Sequence, residues 1–290
     1  MARIEIRPTA GELARQIAEQ LRAAGIDNAA QDARALVVHF AGVTMTELVA
    51  GGGREIDAET AETIRAAARR VALGEPLFRI LGRRAFYGVE LSLTADTLDP
   101  RPDTEILVDR IIPHARRITA AEGACKILDL GTGTGAIALA ILQEVEGATA
   151  LGVDISEGAV AAAARNARLN GLETRFRAVV SDWFSAVNEI FHIIVSNPPY
   201  ISAQDYASLP DNVRLFDPKS ALLGGVDGLD AYRAIAASAA GYLHADGVVG
   251  VETGYDQREA VSEVFAQRGF RLIESASDLA GHDRVLLFSR

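Results

Sequence analysis

The sequence of 290 residues has few of the features that mark secreted, membrane-spanning or metal-binding proteins. Its single cysteine, Cys125, cannot form a disulfide within the chain. No apolar run is long enough to cross a membrane, and residues 1–6 are charged and lack the apolar core of a signal peptide. No spacing of histidines, cysteines or carboxylates is typical of a metal site. These absences predict a cytoplasmic protein with no metal and no membrane partner.

Positive charge is also scarce. Lysine and arginine total 29 against 39 aspartates and glutamates, which gives a formal net charge of -10. This balance argues against a broad nucleic-acid-binding surface, although a local basic patch remains compatible with it. The sequence has no Gly-x-Ser-x-Gly or Walker motif. Apolar residues make up 49% of the chain, so it has ample core for two domains.

The first quarter of the chain has helical spacing. Residues 9–12 and 44–47 each fit a capping box, and an alanine- and arginine-rich helix begins at Asp57 and ends near Gly74. The pattern predicts a small helical bundle domain over residues 1–75.

The hydrophobic period changes after this domain. Val89, Leu91 and Leu93 alternate with polar residues, which predicts a strand that pairs with residues 79–81 in a hairpin linker over 76–100. The third predicted domain, 101–290, contains seven predicted strands: 126–130, 148–154, 176–180, 191–196, 248–252, 270–274 and 284–288. Helical segments separate most of these strands, so the prediction is an α/β fold with a mainly parallel sheet.

A glycine-rich turn follows the first of these strands. It consists of Gly131, Thr132, Gly133, Thr134 and Gly135. Glycines allow the backbone to approach a ligand closely. The carboxylate of Asp154, at the end of the next strand, can accept hydrogen bonds from both hydroxyls of a ribose. The turn predicts a nucleoside cofactor but does not identify it, because Gly131, Gly133 and Ala136 also fit the dinucleotide-binding fingerprint of NAD enzymes.

Asp182 and Trp183 follow the third strand of this sheet, at the same carboxyl edge. The Asp182 carboxylate can accept a hydrogen bond from the exocyclic amine of adenine, and Trp183 can stack on the ring. A core tryptophan beside a solvated aspartate is the structural alternative. The proximity of Asp154 and the glycine turn favours adenine binding.

The sequence Asn197-Pro198-Pro199-Tyr200 separates the two cofactor hypotheses. It ends an apolar strand and offers a side-chain carbonyl, proline carbonyls free to accept, and a flat aromatic face. Together these groups can hold a planar NH₂ group, for which a dehydrogenase has no need; a purely structural turn is the alternative. The motifs therefore indicate an enzyme that methylates an amide or aromatic amine with S-adenosylmethionine and releases S-adenosylhomocysteine.

With these motifs, the chain resembles the peptide chain release factor N5-glutamine methyltransferases over nearly its whole length. The resemblance is carried by Gly74–Pro76, Pro100–Glu105, Asp129–Gly135, Asp182–Phe184, Asn197–Tyr200, Gly224–Asp230 and Tyr232-Arg233. The glycine turn and the Asn-Pro-Pro-Tyr turn occur in many amino-methyltransferases, whereas the stretch Pro100–Glu105 and the helical domain are more specific. Asp99 departs from the family, which usually has an apolar residue there.

The resemblance implies a seven-stranded, Rossmann-like class I methyltransferase fold. It also implies the glutamine of the Gly-Gly-Gln motif in class 1 release factors as substrate, and an N-terminal domain that helps to dock the release factor. By position, Gly131 to Gly135 would line the methionine end of the cofactor, Asp154 would bind the ribose, and Asp182 and Trp183 the adenine.

The resemblance assigns the Asn-Pro-Pro-Tyr turn to the substrate. Asn197 and Pro198 would hold the glutamine amide beside the cofactor, Pro199 would shape the turn, and Tyr200 would pack on the substrate. Arg101, with its neighbours Pro102 and Thr104, would form a strap near cofactor and substrate; a structural linker is the alternative.

Two other functions fit part of the sequence. A nucleic-acid amino-methyltransferase would use the same amide clamp, the Asn197–Tyr200 turn, on a flipped base. The acidic charge and the lack of a basic recognition domain argue against this function. A regulatory protein that binds the cofactor without turnover would have no need of the whole clamp. We therefore expect no nucleic-acid substrate, and a monomer is the simplest expectation.

Overall fold

The computed structural model describes residues 7–290 and divides the chain into two compact units between Gly82 and Arg83. Residues 1–6, the charged start of the predicted helical domain, lie outside the described residues. Within residues 7–82 the first unit contains five helices: α1 (Ala10–Ala23), α2 (Ala29–Ala41), α3 (Met45–Val49), α4 (Ala58–Ala72) and α5 (Leu77–Leu81).

Local sequence signals begin most of these helices. The capping boxes predicted for α1 and α3 are confirmed, since Thr9 Oγ1 accepts from Glu12 N at 3.2 Å and Thr44 Oγ1 accepts from Glu47 N at 3.1 Å. Asn28 lies at the predicted start of α2, but its side chain makes no capping hydrogen bond. The apolar face of α1 is fully buried against α2 and α4, which gives this unit its own core.

The predicted pairing of residues 79–81 in a hairpin is wrong. Leu77–Leu81 form helix α5, which begins after Pro76 and ends at Gly82 with φ of 67°. Apolar side chains of α5 pack against the core of the first unit, so the apolar run that suggested a strand has helical partners. The unit accordingly ends at Gly82 instead of residue 75.

The hairpin itself belongs to the second unit. Its strands are β1 (Arg83–Phe86) and β2 (Val89–Ser92), joined by Tyr87 and Gly88 with φ of 44° and 82°. Positive φ at both central residues matches the twist of a two-residue hairpin.

The remainder of the second unit alternates helices and strands. In chain order its elements are α6 (Thr104–Glu122), β3 (Cys125–Leu130), α7 (Ala136–Glu144), β4 (Ala148–Asp154), α8 (Glu157–Leu169), β5 (Phe176–Val180), β6 (Phe191–Ser196), α9 (Ala203–Ala207), α10 (Asp211–Arg214), a 3₁₀ helix (Lys219–Ala221), α11 (Asp230–Ser238), a 3₁₀ helix (Ala239–Gly241), β7 (Leu243–Glu252), α12 (Arg258–Ala266), β8 (Arg271–Ser277) and β9 (Asp283–Ser289).

The seven-stranded sheet has the order β5-β4-β3-β6-β7-β9-β8. Across the sheet, each pair of adjacent strands from β5 through β4, β3 and β6 to β7 is parallel, and β9 is antiparallel to both β7 and β8. This arrangement confirms the predicted fold class. Buried apolar side chains form one core against α6 and α7 and another against α11 and α12, on opposite faces of the sheet. The strand order reverses between β3 and β6, and such a switch point opens a crevice at the carboxyl edge.

Among residues 7–290, no helix combines the length and apolarity needed to span a membrane. The same part of the chain has no group of three or more His, Cys, Asp or Glu side chains placed to hold a metal ion.

Candidate active site

A cavity of about 300 Å³ opens at the carboxyl edge of the parallel strands. Its lining includes the predicted residues Gly131, Thr132, Gly133, Thr134, Asp154, Asp182, Trp183, Asn197 and Pro199. Pro100, from the stretch before α6, and Thr104, the first residue of α6, also line it. The cavity therefore brings together residues from the ends of four strands that are far apart in sequence. Four predicted residues are not part of this lining: Arg101, Gly135, Pro198 and Tyr200.

The glycine turn is held open by backbone hydrogen bonds. Gly131 and Gly133 have φ of 69° and 54°, a region that side chains disfavour, and Thr132 N donates to Val153 O at 2.9 Å. Gly135 precedes α7 and donates its N–H to Thr132 O at 2.7 Å. The turn presents backbone and no bulky side chain at the glycine positions, as a cradle for a ligand requires.

The Asp154 carboxylate is oriented by two backbone donors. Oδ2 accepts from Gly133 N and Oδ1 accepts from Ser156 N, both at 2.9 Å. Each oxygen retains a lone pair, so the carboxylate can accept further hydrogen bonds from adjacent hydroxyls. A second carboxylate, Asp129, is buried beneath the turn and accepts from Thr132 Oγ1 at 2.7 Å. Burial raises the pKa of Asp129 to about 7.

Trp183 lies in the cavity wall with a left-handed backbone, at φ of 47°. A non-glycine residue in this region stores on the order of 1–3 kcal/mol of strain, and such residues cluster at functional sites. Ser181 Oγ donates to Trp183 O at 2.9 Å, and Ser185 Oγ accepts from Asp182 N at 3.1 Å. The two serines therefore hold this conformation. Their role is absent from the sequence analysis because a pair of surface-type residues at this spacing carries no distinct signal.

Asn197 meets Thr104 across the cavity. Its Nδ2 donates to Thr104 Oγ1 at 3.1 Å, although the two residues are far apart in the chain. Because the amide nitrogen is engaged there, the side-chain carbonyl of Asn197 is available to accept from a group in the cavity.

The turn that carries Asn197 is supported from behind by two glycines and a glutamine. A Cβ at Gly224 would lie 2.5 Å from Pro199 O, and a Cβ at Gly228 would come closer still to Tyr200 O. Gln257 Nε2 donates to Tyr200 O at 3.0 Å. Nothing in the sequence pattern singled out Gln257, whose partner lies on a different element.

Two predicted substrate residues are engaged with the protein itself. The Arg101 guanidinium donates to the buried carboxylate of Asp217 at 2.7 Å. Asp217 belongs to the long segment after the Asn-Pro-Pro-Tyr turn, where Ser220 also lines the cavity, so Arg101 ties this segment to the strap. Tyr200 packs against the core on the α11 face, and burial raises the pKa of its phenol.

The sequence analysis missed a buried acid next to the strand end that carries Asn197. Glu252 ends β7, the neighbour of β6, and is 2% exposed. Burial raises its pKa to about 7, whereas the side chains of Thr104 and Asn197 act against that rise as hydrogen-bond donors. The available signal was a glutamate at the end of an otherwise apolar predicted strand.

Comparison with known proteins finds a matching family for each of the two units. Residues 12–82 match the PrmC N-terminal domain family, and residues 102–211 match the Methyltransferase small domain family. The chain is 47% identical over 272 residues to the release factor glutamine methyltransferase of Agrobacterium fabrum, with 94% of each chain covered. It is 43% identical over 281 residues to that of Rhodospirillum rubrum, covering 97% of this chain and 85% of the relative.

A solved structure supports the fold. The methyltransferase from Pyrococcus furiosus superposes with a TM-score of 0.52 at 17% identity, covering 76% of this chain and 95% of the other. At this identity the likeness concerns the architecture of the sheet and its helices.

Proposed function

This chain belongs to the release factor glutamine methyltransferase family, and we propose that it methylates the side-chain amide nitrogen (N5) of a glutamine. The proposed substrate is the Gly-Gly-Gln motif of class 1 peptide chain release factors, with S-adenosylmethionine as methyl donor. The observation that carries the proposal is the Asn197 side chain, whose Nδ2 is bonded to Thr104 at 3.1 Å. Its carbonyl is thereby available to a substrate NH₂ group.

The residues of the cavity fit the proposed cofactor. S-adenosylmethionine supplies a sulfonium-bound methyl group, which is a strong electrophile when the cofactor is bound. The Asp154 carboxylate offers acceptors for the ribose hydroxyls, Trp183 offers a face for adenine, with Asp182 as acceptor for its amine, and Gly131–Gly135 offer a cradle for the methionine end. Asn197 borders the same cavity and would contact both cofactor and substrate.

The clamp acts on a poor nucleophile, since the lone pair of an amide nitrogen is delocalised into its carbonyl. The Asn197 side-chain carbonyl and the Pro198 backbone carbonyl would accept the two amide hydrogens and aim the nitrogen at the methyl group. Orientation of this kind lowers a barrier by up to ~7–11 kcal/mol, and each acceptor matched to developing charge adds roughly 3–4 kcal/mol. The N-methylated nitrogen is acidic and can lose its proton after transfer.

The first unit is the proposed docking domain for the release factor. A groove between α1, α2 and α3 is lined by Arg15, Arg22 and Arg34, with Glu19 as the one acid in its lining. In a chain of net charge -10 this local basic surface suits an acidic face of the release factor. Arg15→Glu with Arg22→Glu should reduce methylation of whole release factor and leave that of a short Gly-Gly-Gln peptide unchanged. Equal loss on both substrates would contradict the docking role.

Methyl transfer from labelled S-adenosylmethionine tests the proposed function directly. The substrates are purified class 1 release factor, its Gly-Gly-Ala variant and duplex DNA. We expect label on the unmodified release factor alone. Label on DNA would favour a nucleic-acid amino-methyltransferase, and absence of label on every substrate would favour a binding protein without turnover.

Two further properties follow from this proposal. Release factors act in translation, so the reaction would take place in the cytoplasm. The enzyme is expected to work as a monomer, which light scattering in solution can test with and without release factor.

A further inference from the structure

Glu252 is a buried acid for which the reaction above has no role. It ends β7, directly beside the strand that carries Asn197 at its end. Its side chain is almost inaccessible, and Oε2 has no hydrogen-bond partner within residues 7–290. An ionised carboxylate is costly to bury, and structures retain such groups where they serve a purpose other than stability.

The hydrogen bond between Asn197 and Thr104 indicates the direction of a short chain of donors beside Glu252. Asn197 Nδ2 donates to Thr104 Oγ1 at 3.1 Å, which leaves the single hydroxyl hydrogen of Thr104 for another acceptor. Val251 pairs with Ser196, so Glu252 and Asn197 follow at adjacent strand ends. The Thr104 hydroxyl and the Asn197 side-chain amide both lower the pKa of Glu252, which is the effect of hydrogen-bond donors close to a carboxylate. An ionised carboxylate only accepts, so the donors beside Glu252 would be directed toward it.

We propose that Glu252 is a positioning residue of the amide clamp, whose carboxylate holds the Asn197 amide with its nitrogen inward and its carbonyl toward the substrate. The inference rests on the proposed function, because it concerns the same clamp. Rotation of the Asn197 amide by half a turn would present an NH₂ group to the NH₂ group of the substrate glutamine. Two donors would then face each other, and the clamp would repel the group that it must hold.

The charge of Glu252 maintains this orientation. A neutral carboxylic acid carries a hydrogen of its own and would donate to Thr104 Oγ1, which frees the Thr104 hydroxyl to donate toward Asn197. That reversal favours the flipped amide. Hydrogen bonds to an ionised group are about twice as strong as neutral ones, so the carboxylate form holds the productive orientation most firmly.

Several groups face Glu252 and set its protonation. Burial raises its pKa to about 7; the Thr104 hydroxyl lowers it, the Asp103 carboxylate raises it, and Arg284 lowers it. Arg284 is itself paired with Asp103 at 3.2 Å and with Asp278 at 3.0 Å, which weakens its pull on Glu252. The nearby phenols of Tyr200 and Tyr232 have raised pKa values and stay neutral. Loss of the productive orientation is therefore expected as the pH falls through about 7.

Kinetics of three variants test the proposal. Glu252→Gln keeps the volume and removes the charge, Thr104→Val removes the relay hydroxyl, and Thr104→Ser is the matched control that keeps it. We expect kcat to fall on the order of 10- to 100-fold in the first two, with KM for S-adenosylmethionine changed less than about twofold. The wild-type kcat should decline below a pH of about 7, and the Glu252→Gln profile should lack this decline. A wild-type kcat and pH profile in Glu252→Gln would overturn the proposal.

A spectroscopic measurement decides the matter without turnover. In ¹⁵N-labelled enzyme, the side-chain NH₂ resonance of Asn197, assigned by its loss in Asn197→Ala, should titrate in wild type and not in Glu252→Gln. If wild-type enzyme fails to methylate release factor, the proposed function falls, yet this titration still tests the chain from Glu252 to Asn197. A resonance that is insensitive to pH in wild type would contradict the chain, whatever the substrate.

Discussion

Substitution of Gly224 by alanine should impair the chemical step through a displacement of the clamp. The added Cβ would lie 2.5 Å from Pro199 O and 2.9 Å from both Gly228 O and Tyr200 Cα. These neighbours are backbone atoms, which cannot rotate away as a side chain can. The turn that carries the clamp must therefore shift, or the 224–228 loop must withdraw from it.

The size of the effect follows from the two consequences of this shift. Overpacking of a well-packed site costs about 1–3 kcal/mol of folding stability. Misplacement of a reacting group by ~1 Å can reduce the rate on the order of 10²-fold. Gly224 does not line the cavity, so we expect kcat to fall by about this factor and the affinity for S-adenosylmethionine to change little.

Initial rates of methylation at saturating cofactor measure the first effect, and calorimetry of cofactor binding measures the second. Gly241→Ala is the matched control, since a Cβ at Gly241 would meet no atom within 4 Å. A Gly224→Ala enzyme with the kcat of Gly241→Ala would refute the argument that the glycine loop supports the clamp. A large loss of cofactor affinity would show instead that the shift spreads to the glycine turn.

Four other substitutions probe the remaining parts of the site. Asn197→Ala should lower kcat on the order of 10²-fold or more, with a smaller effect on cofactor binding. Near-normal turnover would refute the proposed role of the clamp. Asp154→Ala should weaken cofactor binding by roughly 1.5–3 kcal/mol, so an unchanged Kd in calorimetry would remove it from the site. Ser181→Ala should weaken cofactor binding by about 1 kcal/mol, because Trp183 loses the hydrogen bond that holds its strained backbone. Equal cofactor affinity would show that this hydrogen bond is dispensable. Glu252→Gln should melt at a higher temperature than wild type above a pH of about 7. The pKa of Glu252 is raised in the folded protein, so ionisation of its carboxyl costs folding stability as the pH rises. A lower melting temperature of the variant in this range would mean that the carboxylate is a structural group.

The sequence was sufficient for features that depend on neighbouring residues. The capping box at Thr9 needs only residues three positions apart, and the seven strands are recognisable from their apolar patterns. The carboxyl-edge location of the glycine turn and of Asn197 follows from the alternation of strands and helices, so the cavity and nine of its lining residues could be predicted. The strand prediction for residues 79–81 failed because a short apolar run fits a strand and a helix equally. Only the tertiary partners of the run decide which of the two forms.

The contacts that adjust the site could not be predicted, since each joins residues distant in the chain. Arg101 was assigned to the substrate, yet its guanidinium is bonded to Asp217, and no local pattern indicates that pairing. Gln257 supports the backbone of Tyr200 in the same way. Such residues are ordinary in composition, and their role exists only once the fold has brought the two elements together.

The two acids with the highest burial in the site, Asp129 and Glu252, follow one physical logic. Burial raises the pKa of each carboxyl to about 7, so ionisation of either group lowers folding stability near neutral pH. Packing alone would favour an apolar residue at both positions. Asp129 instead accepts from Thr132 beneath the glycine turn, and Thr104, beside the clamp, lowers the pKa of Glu252; both threonines line the cavity. On the proposed function, the two acids would orient threonines on the cofactor side and on the amide side of the cavity, so we expect substitutions at these acids to affect rate and affinity more than folding.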